Sequence, residues 1–307
     1  MPRSPLPPRH GLDAAWLRTP DNTPGSRHPW ATLREYLAER LPPDARVAER
    51  LASGEFVDDR GRPFAADAPY RPHTLVFFHR SVRPEPGPRP PLPVLWRDER
   101  IVAIDKPSGV ATTPRGSFVA RSALVRLRVE LDLPELTAAH RLDRGTAGVL
   151  LFTTRRECRG QYQALFATGV AAKTYEALAP ALPGPWPRVV ASHLTKPAGS
   201  LQVVEVPGAD PNAETLVDLV ERRGALARYR LTPRTGRTHQ LRVQLSGLGA
   251  PIVGDPLYPT PRLAEPEDAL GGPLRLVARE LAFTDPVDGT PRRFVSAAEL
   301  RWPSGAA

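Results

Sequence analysis

The sequence predicts an α+β fold built on one large, mostly antiparallel sheet. From residue 94 onward, short apolar or alternating segments typical of strands follow one another at close intervals. Few helical patterns separate these segments, so the strand–helix alternation that builds parallel sheets is rare. Residues 94–307 make up about 210 residues, which is enough to bury one full core.

The first 93 residues divide into three parts by composition. Residues 1–26 are rich in Pro and Arg with little periodicity, so we expect a disordered tail. Residues 27–83 predict a small α/β domain, and residues 84–93 are rich in proline, which favours a stiff linker. The predicted helices and strands of the small domain cover residues 30–37, 47–55, 56–62 and 73–80.

Residues 94–307 are the expected catalytic domain. Their predicted strands cover residues 94–97, 101–105, 149–153, 173–178, 201–206, 215–222 and 227–232. Their predicted helices cover residues 122–131, 154–166 and 239–248. We expect Thr238 to cap the last helix, because a Thr hydroxyl accepts a hydrogen bond from an early helical N–H. Gly249 is its expected end, because Gly adopts the left-handed conformation that follows many helices.

The most informative segment is HRLDRGTAG, residues 140–148. Asp143 lies between Arg141 and Arg144 and precedes an apolar run that predicts a buried strand. We therefore expect the carboxylate on a loop beside the sheet, with guanidinium groups nearby that favour its ionised form. On its own, the pattern fits a turn Asp paired with a neighbouring Arg equally well.

Residues 140–148 resemble the HRLD-x-x-T-S-G signature of the RluA-type pseudouridine synthases. Further segments match this family in the same order: DKPSG (105–109), KTYEA (173–177), PRTGRTHQLR (233–242) and GAPIVGD (249–255). The resemblance covers about residues 94–300. Several motifs in the correct order are far more specific than any one of them alone.

The resemblance implies a pseudouridine synthase fold, with a central mixed, mostly antiparallel sheet and a catalytic cleft for RNA. It implies an enzyme that isomerises specific uridines of structured RNA, ribosomal or transfer RNA, with Asp143 as the catalytic carboxylate. The reaction breaks the C1′–N1 bond and joins C1′ to C5 without a redox step, so no cofactor is expected. A carboxylate suits attack on the sugar, attack on the base or a glycal route, and all three stay open.

The same resemblance implies supporting roles. Arg242 matches the Arg that pairs with the catalytic carboxylate, and Tyr175 matches the Tyr that lies against the target base. A surface helix Arg and a strand-core Tyr are the structural alternatives for these two residues. Arg141 matches the residue that enters the space of the flipped nucleotide. The expected RNA-binding side chains are Arg141, Arg144, Lys106, Arg237, His239 and Lys173.

Three positions depart from the family pattern. Ala147 replaces the Ser of the TSG motif, Gln244 replaces a His, and Val277 replaces the His of an LHA motif. None of these changes removes the Asp, the Tyr or the Arg. They put in question the local hydrogen bonding and the site in RNA that is modified.

The helix–turn–strand order of residues 27–83 resembles a degenerate S4 domain, a small RNA-binding module that often precedes this type of synthase. Arg34, Arg46 and Arg50 are the best candidates for its basic face. The alternative is a small structural cap without contacts to RNA.

Composition agrees with an RNA partner. The chain has 42 Lys and Arg against 33 Asp and Glu, a formal net charge of +9, which favours a polyanion. Cys158 is the only cysteine, so an internal disulfide is excluded, and no spacing typical of a metal site is present. Without an apolar run of about 18 residues we expect no membrane segment, and a cytoplasmic, monomeric protein.

Two functions from other classes stay open. A non-catalytic RNA-binding or ribosome-assembly factor is one, although it gives no reason for Asp143, Tyr175 and Arg242 to be present together. A glycoside hydrolase or phosphatase is the other, and it needs metal ligands or a second carboxylate as acid or base. Asp255 is the only obvious candidate for that carboxylate.

Overall fold

The structure is a computed structural model that describes residues 2–21, 30–81, 85, 87–114 and 119–303, without the side chains of residues 267 and 268. Its contacts form two compact units. The first is Met1–Gly87 with Val125–Pro134, and the second is Pro88–Leu124 with Glu135–Ala307. The division after residue 87 falls within the predicted linker 84–93, of which residues 84 and 86 lie outside the described residues.

The first unit contains more of the chain than the sequence predicts. Its strands are β1 (Ala15–Arg18) and β2 (Leu75–Phe78), which pair in antiparallel fashion. Its helices are α1 (Leu33–Arg40) and α2 (Val47–Ala52). The prediction of a disordered tail over residues 1–26 is wrong at β1, because these residues complete a two-stranded ladder. Residues 22–26 lie outside the described residues.

Residues 125–134 were predicted as part of the catalytic domain, but their contacts group them with the first unit. The guanidinium of Arg128 explains this grouping. It donates to the carbonyl oxygen of Gly11 and to the carboxylate of Asp13, at 3.0 Å each.

The core of the first unit is apolar, and one of the three arginines expected on its basic face packs against this core. Leu37, Phe56 and Val76 are fully buried between the helices and the two-stranded sheet. Arg50 is a structural residue, because its guanidinium donates to the His79 carbonyl oxygen at 2.6 Å and lies over the Phe56 ring. An S4-like identity for this unit stays a prediction.

The described part of the second unit contains twelve strands, ten of which form one main sheet. In chain order its strands are β3 (Val94–Arg97), β4 (Ile101–Lys106), β5 (Thr137–Ala138), β6 (Ala147–Thr153), β7 (Ala172–Pro180), β8 (Arg188–Ser192), β9 (Leu194–Thr195), β10 (Val204–Glu205), β11 (Ala213–Arg223), β12 (Leu226–Pro233), β13 (Leu276–Thr284) and β14 (Pro291–Val295). The main sheet has the order β3-β4-β6-β13-β7-β12-β11-β8, with β14 beside β13 and β5 beside β6. Strands β9 and β10 form a separate hairpin.

Helices α4 (Arg159–Ala167) and α5 (Gln240–Gly247) belong to the second unit, while most of α3 (Ala123–Glu130) belongs to the first. Among the described strands of the main sheet, β6 and β13 form the one parallel pair, and the other pairs are antiparallel. The predicted α+β class with a mixed, mostly antiparallel sheet is therefore confirmed.

The centre of the sheet follows from its apolar strands. Every residue of β4 and β6 is buried, as expected for strands covered on both faces. Gly148 makes the parallel pairing possible, because it adopts a φ of +113° and a Cβ atom there would lie 2.2 Å from the Ala278 carbonyl oxygen. The loop that carries Asp143 leads directly into this strand, so the strand fixes one end of the loop.

Some element boundaries differ from the prediction. Strand β10 covers only part of the predicted strand 201–206, and helix α4 begins five residues after the predicted start at Thr154. The predicted Thr238 cap is wrong, since His239 is the N-cap residue, with a φ of +54° and no side-chain capping bond. The Gln240 side chain organises this terminus instead, because its Oε1 accepts from the Arg237 N–H at 3.0 Å. No helix among the described residues is long and apolar enough to span a membrane.

Candidate active site

A cavity of about 620 Å³ opens within the second unit. Its lining includes the loop of residues 140–143, the start of β7 and the segment 233–242 that leads into α5. These segments contain three of the motifs identified in the sequence. The fold therefore brings together residues that are up to about 100 positions apart in the chain.

The segment after β4 holds the Asp143 loop through side-chain hydrogen bonds. The Ser108 hydroxyl donates to the Gly145 carbonyl oxygen at 2.7 Å. Thr112 makes two bonds to Leu142, since its hydroxyl donates to the Leu142 carbonyl oxygen at 2.8 Å and accepts from the Leu142 N–H at 3.1 Å. These bonds fix the backbone on both sides of Asp143, so the DKPSG motif supports the carboxylate from outside the cavity.

Lys106 is also part of this support. Its side chain is fully buried, and its ammonium group donates to the carbonyl oxygens of Pro107, Val110 and Arg144 at 3.0, 2.8 and 3.3 Å. Burial lowers the pKa of Lys106 to about 7, although the negative charge of Asp143 acts in the opposite direction. The prediction that Lys106 contacts RNA is wrong, because a buried amine with backbone partners does not reach a phosphate.

Asp143 is paired with Arg242, as the sequence predicts. The Arg242 Nη1 lies 3.1 Å from Asp143 Oδ2, and the Arg242 side chain is 6% exposed while that of Asp143 is 32% exposed. The carboxylate can thus reach the cavity, while the guanidinium holds it from the protein side. An aimed and ionised carboxylate is the requirement for nucleophilic or proton-transfer chemistry.

Asp255 holds the other edge of the same guanidinium. Its two carboxylate oxygens accept from Arg242 Nε at 2.7 Å and from Nη2 at 2.6 Å, a two-point pair that fixes the plane of the group. Asp255 Oδ1 also accepts the backbone N–H groups of Leu257 and Tyr258, at 2.8 and 3.2 Å. From the sequence, Asp255 is only a possible second catalytic carboxylate. Its positioning role becomes visible through these hydrogen bonds.

Tyr175 and Lys173 reach the cavity from β7. Burial and the charge of Asp143 raise the pKa of the Tyr175 phenol above its usual value, so the phenol is protonated at neutral pH. Burial lowers the pKa of Lys173, whose ammonium donates to the Thr235 carbonyl oxygen at 3.2 Å. Tyr175 and Asp143 line the same cavity, and the position of Tyr175 against the target base stays a prediction.

The remaining predicted RNA-binding residues are spread over different positions. Arg141 and Arg237 are exposed and line the cavity, while Arg144 is exposed and does not line it. His239 lines the cavity with a side chain that is 12% exposed. Only Lys106 is excluded from contact with a ligand by its position.

His140 is a structural residue. Its Nε2 accepts from the Leu151 N–H at 3.2 Å, and its ring stacks on Phe166 with centroids 4.2 Å apart. Burial, assisted by the positive charge of Lys173, lowers the pKa of His140 to about 3, so the ring is neutral. The first residue of the HRLD motif thus fixes the start of the loop that carries Asp143.

Two of the three departures from the family pattern are accommodated by packing. Gln244 is buried, its Oε1 accepts from the Thr215 hydroxyl at 2.6 Å, and its amide donates to Ser192 Oγ at 2.9 Å. Ala147 and Val277 are buried and face each other in the β6–β13 pair. No contact of Val277 explains why this position lacks the His of the family pattern.

Sequence analysis did not identify Tyr258. Its hydroxyl lies 2.9 Å from His239 Nδ1, and its position three residues after Asp255, in the segment GDPLYP, is the only signal in the sequence. Among the described residues, no group of three or more His, Cys, Asp or Glu side chains is arranged to hold a metal ion.

Comparison with known proteins places this geometry among RNA-modifying enzymes. The profile of the RNA pseudouridylate synthase family matches residues 100–247. The dual-specificity RNA pseudouridine synthase RluA of Yersinia pestis is 31% identical over 221 residues, which cover 67% of this chain and 99% of that protein.

Two solved structures share the fold. Human RNA Pseudouridylate Synthase Domain Containing 1 superposes with a TM-score of 0.56 at 22% identity, covering 70% of this chain and 86% of that one. Human RNA Pseudouridylate Synthase Domain Containing 4 superposes with a TM-score of 0.55 at 27% identity, covering 67% of this chain and 88% of that one.

Proposed function

This chain belongs to the RluA-type family of RNA pseudouridine synthases, and on that premise we propose that it isomerises uridines of structured RNA with Asp143 as the catalytic carboxylate. The observation that supports this proposal most directly is the Asp143–Arg242 pair, with 3.1 Å between the guanidinium and the carboxylate, at a cavity also lined by Tyr175. The carboxylate, its cationic partner and an aromatic ring are the groups that the reaction needs.

Each of these side chains has a defined task in the reaction. Asp143 acts on the flipped nucleotide as a nucleophile or as a base, and both actions require the ionised carboxylate. Arg242 holds Asp143 through Oδ2, so Oδ1 is the oxygen that is not paired with this guanidinium. Tyr175, a protonated phenol, stacks on the uracil and donates a hydrogen bond rather than serving as the resting base.

The cavity has a suitable size and rim for a flipped nucleotide. A volume of about 620 Å³ lies within the range of about 300–1,000 Å³ that is typical of sites for small molecules. The exposed guanidinium groups of Arg141 and Arg237 lie at its rim, where they pair with phosphates or stack on the neighbouring bases. Enzymes that act on a base take it out of the helical stack, and such cations stabilise the opened strand.

The glycoside hydrolase alternative loses its second carboxylate. Asp255 is buried with a side chain only 1% exposed, and both of its oxygens are occupied by Arg242. It therefore cannot serve as the acid or base of a hydrolytic pair. The non-catalytic RNA-binding alternative predicts RNA binding without isomerisation, and the test below distinguishes it.

The decisive measurement is tritium release from RNA labelled at C5 of uridine. We expect Asp143→Asn to abolish release while folding and RNA affinity are retained, because the change removes the charge and preserves the shape. Asp210→Asn, an exposed carboxylate outside the cavity lining, is the matched control and should keep full activity. Substantial release by Asp143→Asn contradicts the role of Asp143, and release by neither variant nor wild type favours the binding factor.

The finer parts of the proposal concern the substrate and its setting. We propose that the substrates of this protein are ribosomal or transfer RNA and that it acts as a monomer in the cytoplasm. Primer extension after carbodiimide treatment of total RNA from a deletion strain identifies the modified uridine. Light scattering of the purified protein, with and without RNA, tests the monomeric state.

A further inference from the structure

The turn of residues 255–258 supports both residues that face Asp143. Asp255 clamps the Arg242 guanidinium, and the Tyr258 ring lies 5.2 Å from the carbon of the same guanidinium. The Tyr258 hydroxyl reaches in the other direction, to within 2.9 Å of Nδ1 of His239. One short turn therefore positions two side chains, those of Arg242 in helix α5 and of the N-cap residue His239.

These two side chains face different oxygens of the carboxylate. Arg242 lies 3.1 Å from Asp143 Oδ2, while His239 Nε2 lies 3.8 Å from Asp143 Oδ1. The second distance exceeds that of a hydrogen bond. Catalytic hydrogen bonds are often long in the free enzyme and shorten when substrate binds.

The hydrogen bonds of Tyr258 determine which nitrogen of His239 carries the proton. The Tyr258 oxygen accepts from the Val203 N–H at 2.8 Å, and its single hydrogen has two possible acceptors. These are His239 Nδ1 at 2.9 Å and the Val203 carbonyl oxygen at 3.2 Å. If the hydrogen goes to Val203, His239 Nδ1 must donate, and the lone pair of Nε2 then faces a carboxylate. If it goes to His239, Nε2 carries the hydrogen and faces that carboxylate as a donor.

The second arrangement is favoured on two grounds. The contact from Tyr258 to His239 is the shorter one, and an N–H opposite an anion is attractive where a lone pair is repulsive. Burial lowers the pKa of His239, and the positive charges of Arg242 and Lys196 act in the same direction. The charges of Asp143 and Asp255 oppose this shift without reversing it, so the ring is neutral and carries one hydrogen.

We propose that Tyr258 fixes His239 in the tautomer with hydrogen on Nε2, and that His239 then positions Asp143 by donating to Oδ1 in the substrate complex. His239 is thus a positioning residue that acts on the carboxylate, and Tyr258 is a positioning residue that acts on His239. Together with Arg242, this arrangement orients both oxygens of Asp143. The proposal rests on the proposed function for its catalytic consequence, but its tautomer is a property of the free protein.

Nitrogen NMR of the full chain tests the tautomer directly. The protein labelled with ¹⁵N-histidine contains seven His residues, and the signals missing from the His239→Gln variant assign position 239. We expect the Nε2–H pattern at neutral pH in the wild type and a mixture of tautomers in Tyr258→Phe. An Nδ1–H pattern in the wild type, or an unchanged pattern in Tyr258→Phe, overturns the proposal.

Two substitutions at position 239 separate this positioning role from a structural one. Gln places its amide nitrogen near the Nε2 position and can donate to Asp143, while the shorter Asn reaches only towards Tyr258. We expect His239→Gln to keep kcat within about tenfold of the wild type and His239→Asn to lose about 100-fold, with little change in KM. A purely structural role predicts the opposite order, because Asn tolerates the φ of +54° better than Gln.

The NMR and activity measurements distinguish a failure of the proposed function from a failure of the positioning role. If the wild type releases no tritium from RNA, the proposed function fails, and the NMR experiment still decides the tautomer. If the wild type is active and His239→Asn is at least as active as His239→Gln, the proposed function stands and the positioning role of His239 is wrong.

Discussion

At the scale of single residues, the guanidinium of Arg242 is shared between two carboxylates with different tasks. We expect Asp255→Asn to lower kcat about 100-fold with a small change in KM, because the plane of Arg242 loses its two-point partner and Asp143 is no longer aimed. Breaking a buried pair by removing one partner typically costs about 3–5 kcal/mol, so unfolding by urea should also shift. Asp210→Asn is again the control, and an unchanged kcat in Asp255→Asn argues against the clamp.

Lys106 gives a prediction on the pH dependence of stability. Its folded pKa of about 7 lies below the ordinary value of 10.5, so between these pH values the unfolded chain binds a proton that the folded chain has released. The free energy of unfolding should therefore rise with pH in this window and fall as the pH drops towards 7. Lys106→Met should flatten this dependence and lower stability, because three backbone carbonyl oxygens lose their donor. Urea unfolding of both proteins at pH 7, 8 and 9 checks both effects. If the free energy of unfolding changes with pH equally in the wild type and in Lys106→Met, the burial argument is wrong.

Motifs in the sequence identified the residues that meet at the cavity and missed those that hold them in place. Asp143, Tyr175 and Arg242 lie together as expected, because their types reflect the chemistry. Lys106 was expected at phosphate because it lies in a motif shared with an RNA-acting family, with a purely structural turn as the alternative, and only the folded chain shows its three carbonyl partners. Tyr258 was missed because its role depends on a contact with His239 across a turn and a helix terminus.

At the scale of elements, the parallel contact between β6 and β13 depends on one glycine. We expect Gly148→Ala to destabilise the second unit strongly or prevent its folding, because the new Cβ would lie 2.2 Å from a backbone oxygen at a φ of +113°. Gly160→Ala in α4 is the matched control, since no atom lies within 4 Å of its added Cβ. The control should stabilise by about 0.5–1 kcal/mol, because Ala loses less backbone entropy in a helix. Thermal unfolding followed by circular dichroism compares the two, and a tolerated Gly148→Ala contradicts the close approach.

Periodicity missed strand β13 because several of its polar residues have partners across the sheet. In β13, Arg279 pairs with Glu176 of β7 at 2.9 Å, and Glu280 pairs with Arg293 of β14 at 2.6 Å. Such pairs stabilise a sheet but interrupt the apolar pattern from which a strand is predicted. Strand β8 was missed for another reason, since it follows a proline-rich stretch that is typical of loops.

At the scale of the whole molecule, the first unit includes a segment from the middle of the chain. Deleting residues 1–87 removes the partners of Arg128 and leaves residues 125–134 behind. We expect the truncated protein to unfold at a lower temperature than the full chain or to aggregate, although residues 94–307 are numerous enough to bury a core of their own. A soluble fragment with an unchanged Tm contradicts this expectation.

An RNA-binding role of the first unit is better tested by substitution than by deletion. Arg34 is exposed on α1, and its replacement by Ala removes a charge and leaves the core in place. If Arg34 contacts a phosphate, the slope of log affinity against log salt should fall by about 0.7–0.9. An unchanged slope with unchanged affinity favours a structural cap.

The shared guanidinium also leaves the cavity with charges of both signs. Asp143 is the one carboxylate among the described lining residues, and it is paired with Arg242. Arg141 and Arg237 are exposed cations of the same lining. We expect the uncharged uracil ring to lie beside Asp143 and the phosphates of its strand to lie at these two arginines. A free uridine phosphate lacks the neighbouring phosphates of a strand, so we expect polymeric RNA to be preferred over monomeric nucleotides as the substrate.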